Sequence, residues 1–261
     1  MEYRELGAAR LRVSLLGLGT VKFGRNEALP YPASSSLPST RDLVRLLAHA
    51  YDLGINLLDT APAYGSSEER LGELLARHRD RWVISTKVGE SFERGASTYD
   101  FSPEHTRASV LRSLQRLRTD RLDVVLVHSD GDDRAIIERH GTLDSLAQLK
   151  REGLIRAFGM SHKTVAGGLA AVERCDVVMA TLSESARAEL AVVAAARARR
   201  CGVLVKKPLD SGRAAIDPDR LVSTLRYLKQ IDGVSSIVVG TTDPAHLRAN
   251  AAALENVDAD E

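Results

Sequence analysis

Short apolar runs alternate with amphipathic stretches of helix length along nearly the whole chain. The runs cover residues 14–19, 55–59, 82–87, 122–128, 157–161, 176–180, 202–206 and 236–239. Each is too short for a buried helix and reads as a strand covered on both faces, the pattern of a parallel sheet. Helix starts between them carry cap chemistry. Ser66, with Glu69 three residues later, fits a capping box. Ser102-Pro103 and Asp243-Pro244 each place a cap residue before a proline at the first helical position. Between residues 184 and 200 the acids come early and the arginines late, which complements a helix dipole.

Eight strand–helix units in 261 residues predict an α/β fold, a closed parallel (β/α)8 TIM barrel occupying residues 1–261 as one domain. An open doubly wound sheet would require a glycine-rich phosphate loop leading into a helix after the first strand. Gly17-Leu18-Gly19-Thr20-Val21-Lys22 lacks the third glycine and shows no helix pattern behind it. Ahead of the first barrel strand, residues 3–6 and 11–13 flank Gly7-Ala8-Ala9 and read as a β-hairpin capping the barrel floor. Residues 21–39, with three prolines and three consecutive serines, read as a long loop, and the acidic tail after Glu255 is expected to fray.

Composition narrows the function classes. Lys and Arg number 36 against 35 Asp and Glu, so no field draws the chain to nucleic acid or to an anionic membrane surface. No apolar run approaches the roughly 18 residues of a membrane span. The polar N-terminal stretch carries no signal-peptide pattern, and a cytoplasmic protein is expected. Cys175 and Cys201 show no metal or redox spacing and are expected to be reduced and buried.

Residues at the C-terminal ends of barrel strands converge on one mouth. In the stretch GINLLDTAPAYG (54–65) an apolar run ends at Asp59, a small-residue turn follows, and Tyr64 stands between Ala63 and Gly65. Lys87 ends the third strand and His128 the fourth. A buried lysine needs a partner, and Asp59 on the neighbouring strand supplies one. An ammonium beside Tyr64 would stabilise its phenolate and bring its pKa down from about 10. With His128 donating to a substrate carbonyl, the set reads as a proton donor for carbonyl chemistry. Other candidates carry less. Residues 129–133 lack the terminal Glu of a calcium loop and read as a solvated loop. Ser183 and Ser185 have no histidine and acid in a nucleophile arrangement, and His140 and His162 have no partner at metal spacing.

The sequence resembles the aldo-keto reductase family over nearly its whole length. The matching stretches are LGLGT, GINLLDTAPAYGSSEERLGELL, WVISTKV, SPEHTRASVLRSLQRLRTDRLDVVLVH, LKREGLIRAFGMS, PLDSG and VVGTTDPAHLRANAAAL. The resemblance implies hydride transfer between a nicotinamide, NADP(H) or else NAD(H), and an aldehyde or ketone. It makes Tyr64 the general acid, Lys87 and Asp59 the groups that tune it, and His128 the residue that positions the carbonyl. It implies cofactor contacts from Gly19, Thr20, Asp59, Ser161, His162, Met179, Lys206, Pro208, Leu209, Ser211, Gly240, Thr241, Thr242, His246 and Asn250.

The implied partner is a small carbonyl substrate, with the protein a monomer or weak oligomer. Phe92, Tyr99 and Phe101 are the nearest aromatic candidates for the substrate pocket. Three departures stand out. His162 replaces the Asn that usually follows the fifth-strand serine, Met179 replaces a sixth-strand Gln, and Lys206 replaces the aromatic that stacks on the nicotinamide. The Arg often found at position 242 is a threonine. These changes leave a second reading open, a nucleotide-binding regulatory or sensor protein with little turnover, beside an enzyme working in the alcohol-oxidising direction.

Overall fold

The computed structural model describes residues 1–28, 36–184, 186–208 and 217–255. Leu209, Ser211, Ser185 and the tail after Glu255 lie outside the described residues. The chain opens with an antiparallel hairpin, β1 (Tyr3–Glu5) and β2 (Arg12–Ser14), around a 3-10 turn at Gly7–Ala9. Eight parallel strands then close into a barrel. They are β3 (Leu16–Gly19), β4 (Leu57–Asp59), β5 (Val83–Val88), β8 (Leu122–His128), β9 (Ile155–Ser161), β10 (Val177–Thr181), β11 (Gly202–Lys206) and β12 (Ser236–Gly240). The order around the barrel follows the chain, and β12 returns to pair with β3 through Gly240 and Gly19.

Alternation along each strand sorts the side chains into two cores. Leu57, Val83, Val124, Leu126, Ala157, Val177, Met179, Leu204 and Val238 point inward and form the barrel interior. The hairpin completes that interior from below, since Leu6, Leu11 and Val13 belong to the same cluster, with Leu6 fully buried. Their neighbours in sequence, such as Leu58, Ile84, Val125, Val127, Val178 and Val205, face outward into the larger core under the helices. Those helices are α2 (Thr40–Asp52), α3 (Ser67–Leu75), α4 (Pro103–Arg116), α5 (Asp133–Glu138), α6 (Thr142–Arg151), α7 (Val165–Val172), α8 (Leu190–Arg199), α9 (Pro218–Gln230) and α10 (Pro244–Glu255). Among the described residues no helix is long and apolar enough to cross a membrane.

The structure departs from the sequence reading in four places. A one-turn helix, α1 (Val21–Gly24), follows β3 where an uninterrupted loop is expected. Ser66 makes no side-chain cap bond to α3. Glu69, its expected partner, pairs instead with Arg116 of α4 at 2.9 Å. Helix α8 begins only at Leu190, with the acids before it and Arg197 and Arg199 in its last turn. The segment carrying Phe92 and Tyr99 is a second hairpin, β6 (Glu90–Glu93) and β7 (Ala96–Tyr99), folded over the end of β5. The expected caps at Ser102 and Asp243 are present: Ser102 Oγ accepts from His105 N at 3.2 Å, and Asp243 Oδ1 accepts from Ala245 N at 2.8 Å.

Candidate active site

Because alternate residues face inward, each strand offers one last inward position at the mouth. Around the barrel these are Gly19, Asp59, Lys87, His128, Ser161, Thr181, Lys206 and Gly240. Seven of the eight are in the expected set, and Thr181 is the addition. Gly240 is exposed, and a Cβ built on it would meet nothing nearer than Gly19 O at 3.9 Å. The two paired glycines therefore leave a gap in the ring between Lys206 and Asp59.

The ammonium of Lys87 donates to Asp59 Oδ1, Asp59 Oδ2 and Thr60 O, each at 2.8 Å. With Lys87 at 1% exposure and Asp59 at 4%, this is a dry, fully coordinated pair. Asp59 and Tyr64 outweigh the cost of burial and hold the Lys87 pKa above its usual value. Thr20 secures the strand end behind it. Its N–H and hydroxyl both donate to Asp59 O, at 2.9 and 3.0 Å. That hydroxyl is buried and bonded to Ser67 as well, so Thr20 serves the wall of the site.

Tyr64 ends a 3-10 turn (Pro62–Tyr64) held by the bond from Tyr64 N to Ala61 O, 3.0 Å long. The next residue, Gly65, has φ +59°, and a Cβ there would stand 2.1 Å from Gly24 O. Only glycine permits that turn and that approach to α1. The tyrosine ring lies edge-on to His128, with centroids 6.3 Å apart, and Lys87 Nζ lies 5.0 Å from its centroid. The structure thus brings Asp59, Tyr64, Lys87 and His128 together. The expected fall in the Tyr64 pKa is reversed. Burial raises it above the usual value, and the carboxylates of Asp59 and Glu90 add to the rise that Lys87 opposes. A phenol in this setting keeps its proton.

Glu90 is a member of the site that the sequence reading missed. Gly89, at φ +98°, turns the chain just past β5, and its missing side chain leaves room for the Phe101 ring. Glu90 then folds back, with Oε2 2.5 Å from His128 Nδ1 and Oε1 accepting from Ser97 Oγ at 2.6 Å. The contact is an ion pair when the imidazole is protonated. The Glu90 pKa falls to about 2, held down against burial by His128, Ser97 and Arg25. Burial, Lys87 and Lys206 lower the His128 pKa, and Glu90 opposes them. In the neutral ring a proton on Nδ1 leaves Nε2 an acceptor. Donation from Nε2 to a carbonyl, as expected from sequence, requires the imidazolium that Glu90 favours.

The remaining expected contacts divide. Ser161 faces the mouth beside His128, its register partner. The His162 imidazole does not. It is 1% exposed and packs against Gly168 of α7, where a Cβ would stand 2.7 Å from its Cε1. Its pKa drops to about 4 through burial and the charge of Lys206. Only its carbonyl serves the mouth, accepting from Lys206 Nζ at 2.7 Å. Met179 lies one inward position below the rim, in the packed interior, and Pro208 is buried just past β11. Thr241 and Asn250 are buried, while His246 is exposed at the start of α10, 3.9 Å from Asp243. The segment 129–133 is solvated only in part, with Asp130 and Asp132 exposed but Ser129 and Asp133 buried. Asp133 is buried and accepts from Ser129 Oγ, Lys163 N, Thr164 N and Thr164 Oγ1, which ties the loops after β8 and β9 together. Among the described residues no cluster of His, Cys, Asp and Glu could hold a metal ion.

The model of the aldo/keto reductase family matches residues 15–212. The crystal structure of PA4992 from Pseudomonas aeruginosa, assigned to the aldo-keto reductases, superposes with a TM-score of 0.89. It is 50% identical in sequence, with 97% of this chain and 94% of that one covered. An uncharacterized oxidoreductase of Bacillus subtilis, YqkF, is 32% identical over 62% of this chain and 49% of its own length. The NADH-specific methylglyoxal reductase of Escherichia coli is 33% identical over 60% of this chain and 51% of its own. The matches to these curated relatives span about half their lengths. With the family's pattern running from residue 15 to residue 212 of 261, the chain belongs to the aldo-keto reductase family.

Proposed function

We propose that this protein is an NAD(P)H-dependent carbonyl reductase in which Tyr64 is the general acid. The observation that carries the reading is the convergence of a half-buried Tyr64 with Lys87, Asp59 and His128 at one barrel mouth. A reduced nicotinamide supplies the hydride when bound. Gly19, Gly240, Thr242 and the first turn of α10 would hold it, and the gap at Gly240 suits a close backbone approach. Burial keeps the proton on Tyr64 until a carbonyl oxygen develops negative charge beside it. The Lys87 ammonium, fixed on Asp59 and Thr60 O, then stabilises the phenolate left behind. His128, with its charge governed by Glu90, orients the carbonyl.

The cofactor is NADP(H), with NAD(H) accepted too, and an NADH-specific relative supports the second choice. The reading includes one cytoplasmic domain that is monomeric or weakly associated. Two free thiols, Cys175 half-buried rather than buried as expected and Cys201 buried with its pKa pushed up to about 12, support a reducing compartment. The altered nicotinamide contacts, Met179 in the packed interior and Lys206 at the rim, favour one alternative, a nucleotide-binding sensor with little turnover.

The test is cofactor oxidation by the purified protein with NADPH or NADH and a panel of aldehydes and ketones, with the reverse reaction run on the alcohols. Turnover supports the proposal. Tight cofactor binding with no turnover of any carbonyl or alcohol would replace it with the sensor reading. No cofactor binding would refute both.

A further inference from the structure

Lys206 ends β11 at an inward rim position. Its ammonium donates to Ser161 Oγ at 2.9 Å and to His162 O at 2.7 Å. Both acceptors are neutral, and among the described residues no carboxylate oxygen lies within ion-pair distance of it. Two of the three ammonium donors are accounted for. The charged and titratable groups around it are Lys207 next in the chain, Lys87 on β5, His128 on β8, His162 after β9, Glu189 before α8 and Asp133 on α5. Asp133 is saturated by Ser129, Lys163 and Thr164, whereas Glu189 Oε2, 3.6 Å from the neutral His162 imidazole, has no hydrogen-bond partner among the described residues, and both carboxylates oppose at longer range the fall in the Lys206 pKa.

A part-buried cation whose direct contacts are two neutral oxygens, with Lys207 and Lys87 near it and Glu189 and Asp133 beyond ion-pair distance, is destabilised. An arriving carboxylate would turn that uncompensated charge into an ion pair with charge-assisted hydrogen bonds. The placement also fixes where the anion would lie. Ser161, which holds the ammonium, is the register partner of His128, and the field of Lys206 acts on both His128 and Lys87. The anion therefore belongs at the reacting centre.

We propose that Lys206 is a carboxylate-binding residue of the barrel mouth, and that the carbonyl substrates are oxo acids, aldehydes or ketones that carry a carboxylate. This inference rests on the carbonyl-reductase reading and names its substrate class. The Lys206 pKa, brought down to about 7 by burial and by Lys207 and Lys87, adds a signature. The ammonium is present below that pH and lost above it, and kcat/KM reports the free enzyme. The preference for an acid over its neutral analogue fades as pH rises through about 7.

The experiment compares kcat/KM for succinic semialdehyde and pyruvate with kcat/KM for their methyl esters. It uses wild type, Lys206→Gln and Lys206→Arg, at pH values well below and well above 7, with circular dichroism as the check on folding. In wild type the acids lead by about tenfold or more on the acidic side, the worth of one hydrogen bond to a charge. That lead shrinks on the alkaline side and collapses in Lys206→Gln. In Lys206→Arg it persists on the alkaline side, because the guanidinium does not lose its charge there. If the Gln variant does not fold, the wild-type and Arg pH profiles decide the matter. Esters and acids turned over equally by wild type would overturn the inference and leave the reductase reading standing. A Lys206→Gln variant with a raised cofactor KM and an unchanged acid-to-ester ratio would assign the cation to the cofactor's phosphates, and would also overturn it. No turnover of any carbonyl would remove the reading it rests on.

Discussion

Lys87 and Asp59 show how much of the site depends on single contacts. Replacing Lys87 by Met keeps the apolar stem but leaves Asp59 as an unpaired carboxylate at 4% exposure. Breaking such a pair from one side costs about 3–5 kcal/mol, so the thermal midpoint of Lys87→Met is expected to fall well below wild type. An unchanged midpoint would show that the pair contributes nothing to stability. Glu90 allows a test with a sign. Its folded pKa of about 2 lies below the ordinary 4.5, so its stabilising contribution is present above 4.5 and lost as pH falls through about 2. Glu90→Gln is therefore less stable than wild type near neutral pH, and the gap in denaturant midpoints closes in acid. The same change removes the group that raises the His128 pKa, so any His128 limb in the profile of kcat/KM moves to lower pH. A stability gap independent of pH and an unmoved limb would together remove the Glu90–His128 interaction from the account. No local pattern marks Glu90. Its contact depends on the turn at Gly89 and on a strand 38 residues away in sequence.

The elements explain why the tetrad was legible and its surroundings were not. A strand end is a local signal, so Asp59, Lys87 and His128 could be placed from the apolar runs alone. The hairpin over β5, the buried Asp133 and the idle Ser66 cap depend on partners in other elements. The Tyr64 pKa depends on burial outweighing a visible lysine. The floor hairpin is the clearest element to test. Leu6 is fully buried in the barrel interior with Leu11 and Val13, and Leu6→Ala is expected to cost about 2–5 kcal/mol, read from denaturant midpoints. A loss below about 1 kcal/mol would mean the hairpin does not plug the floor.

In the proposed reading, the start of α10 is where cofactor choice would be made. Gly240, Thr242 and His246 bring no Arg or Lys, and Arg248 turns away to His49 of α2 at 3.1 Å. NADPH and NADH should therefore differ in kcat/KM by no more than about tenfold, roughly 1.4 kcal/mol. Thr242→Arg should shift the ratio toward NADPH, by a margin that added salt shrinks. A wild-type preference for NADPH near a thousandfold would mean that a cation reaches the 2′-phosphate from elsewhere.

At the scale of the whole molecule, one alternation rule repeated around eight strands produces both the fold and the site. Inward positions are mostly apolar through the barrel, Ser85 and Ser236 excepted, and change to Asp, Lys, His, Ser, Thr and Gly at the rim, so the charged chemistry is confined to one end. The repetition made the barrel legible. The occupant of the mouth was less so, because Lys206, Met179 and His162 depart from the family's pattern where the nicotinamide is expected. The central claim is that Tyr64 delivers the proton at this mouth, and its test sets wild type beside Tyr64→Phe. Trp82 precedes β5 at the end away from the mouth, so cofactor binding is followed by the fluorescence of the reduced nicotinamide itself. Turnover is measured with the best aldehyde of the panel. The account predicts an unchanged cofactor Kd and a kcat lower by roughly 10²–10⁴-fold, the usual worth of a general acid. Turnover by Tyr64→Phe at the wild-type rate would contradict it and place the proton donor elsewhere.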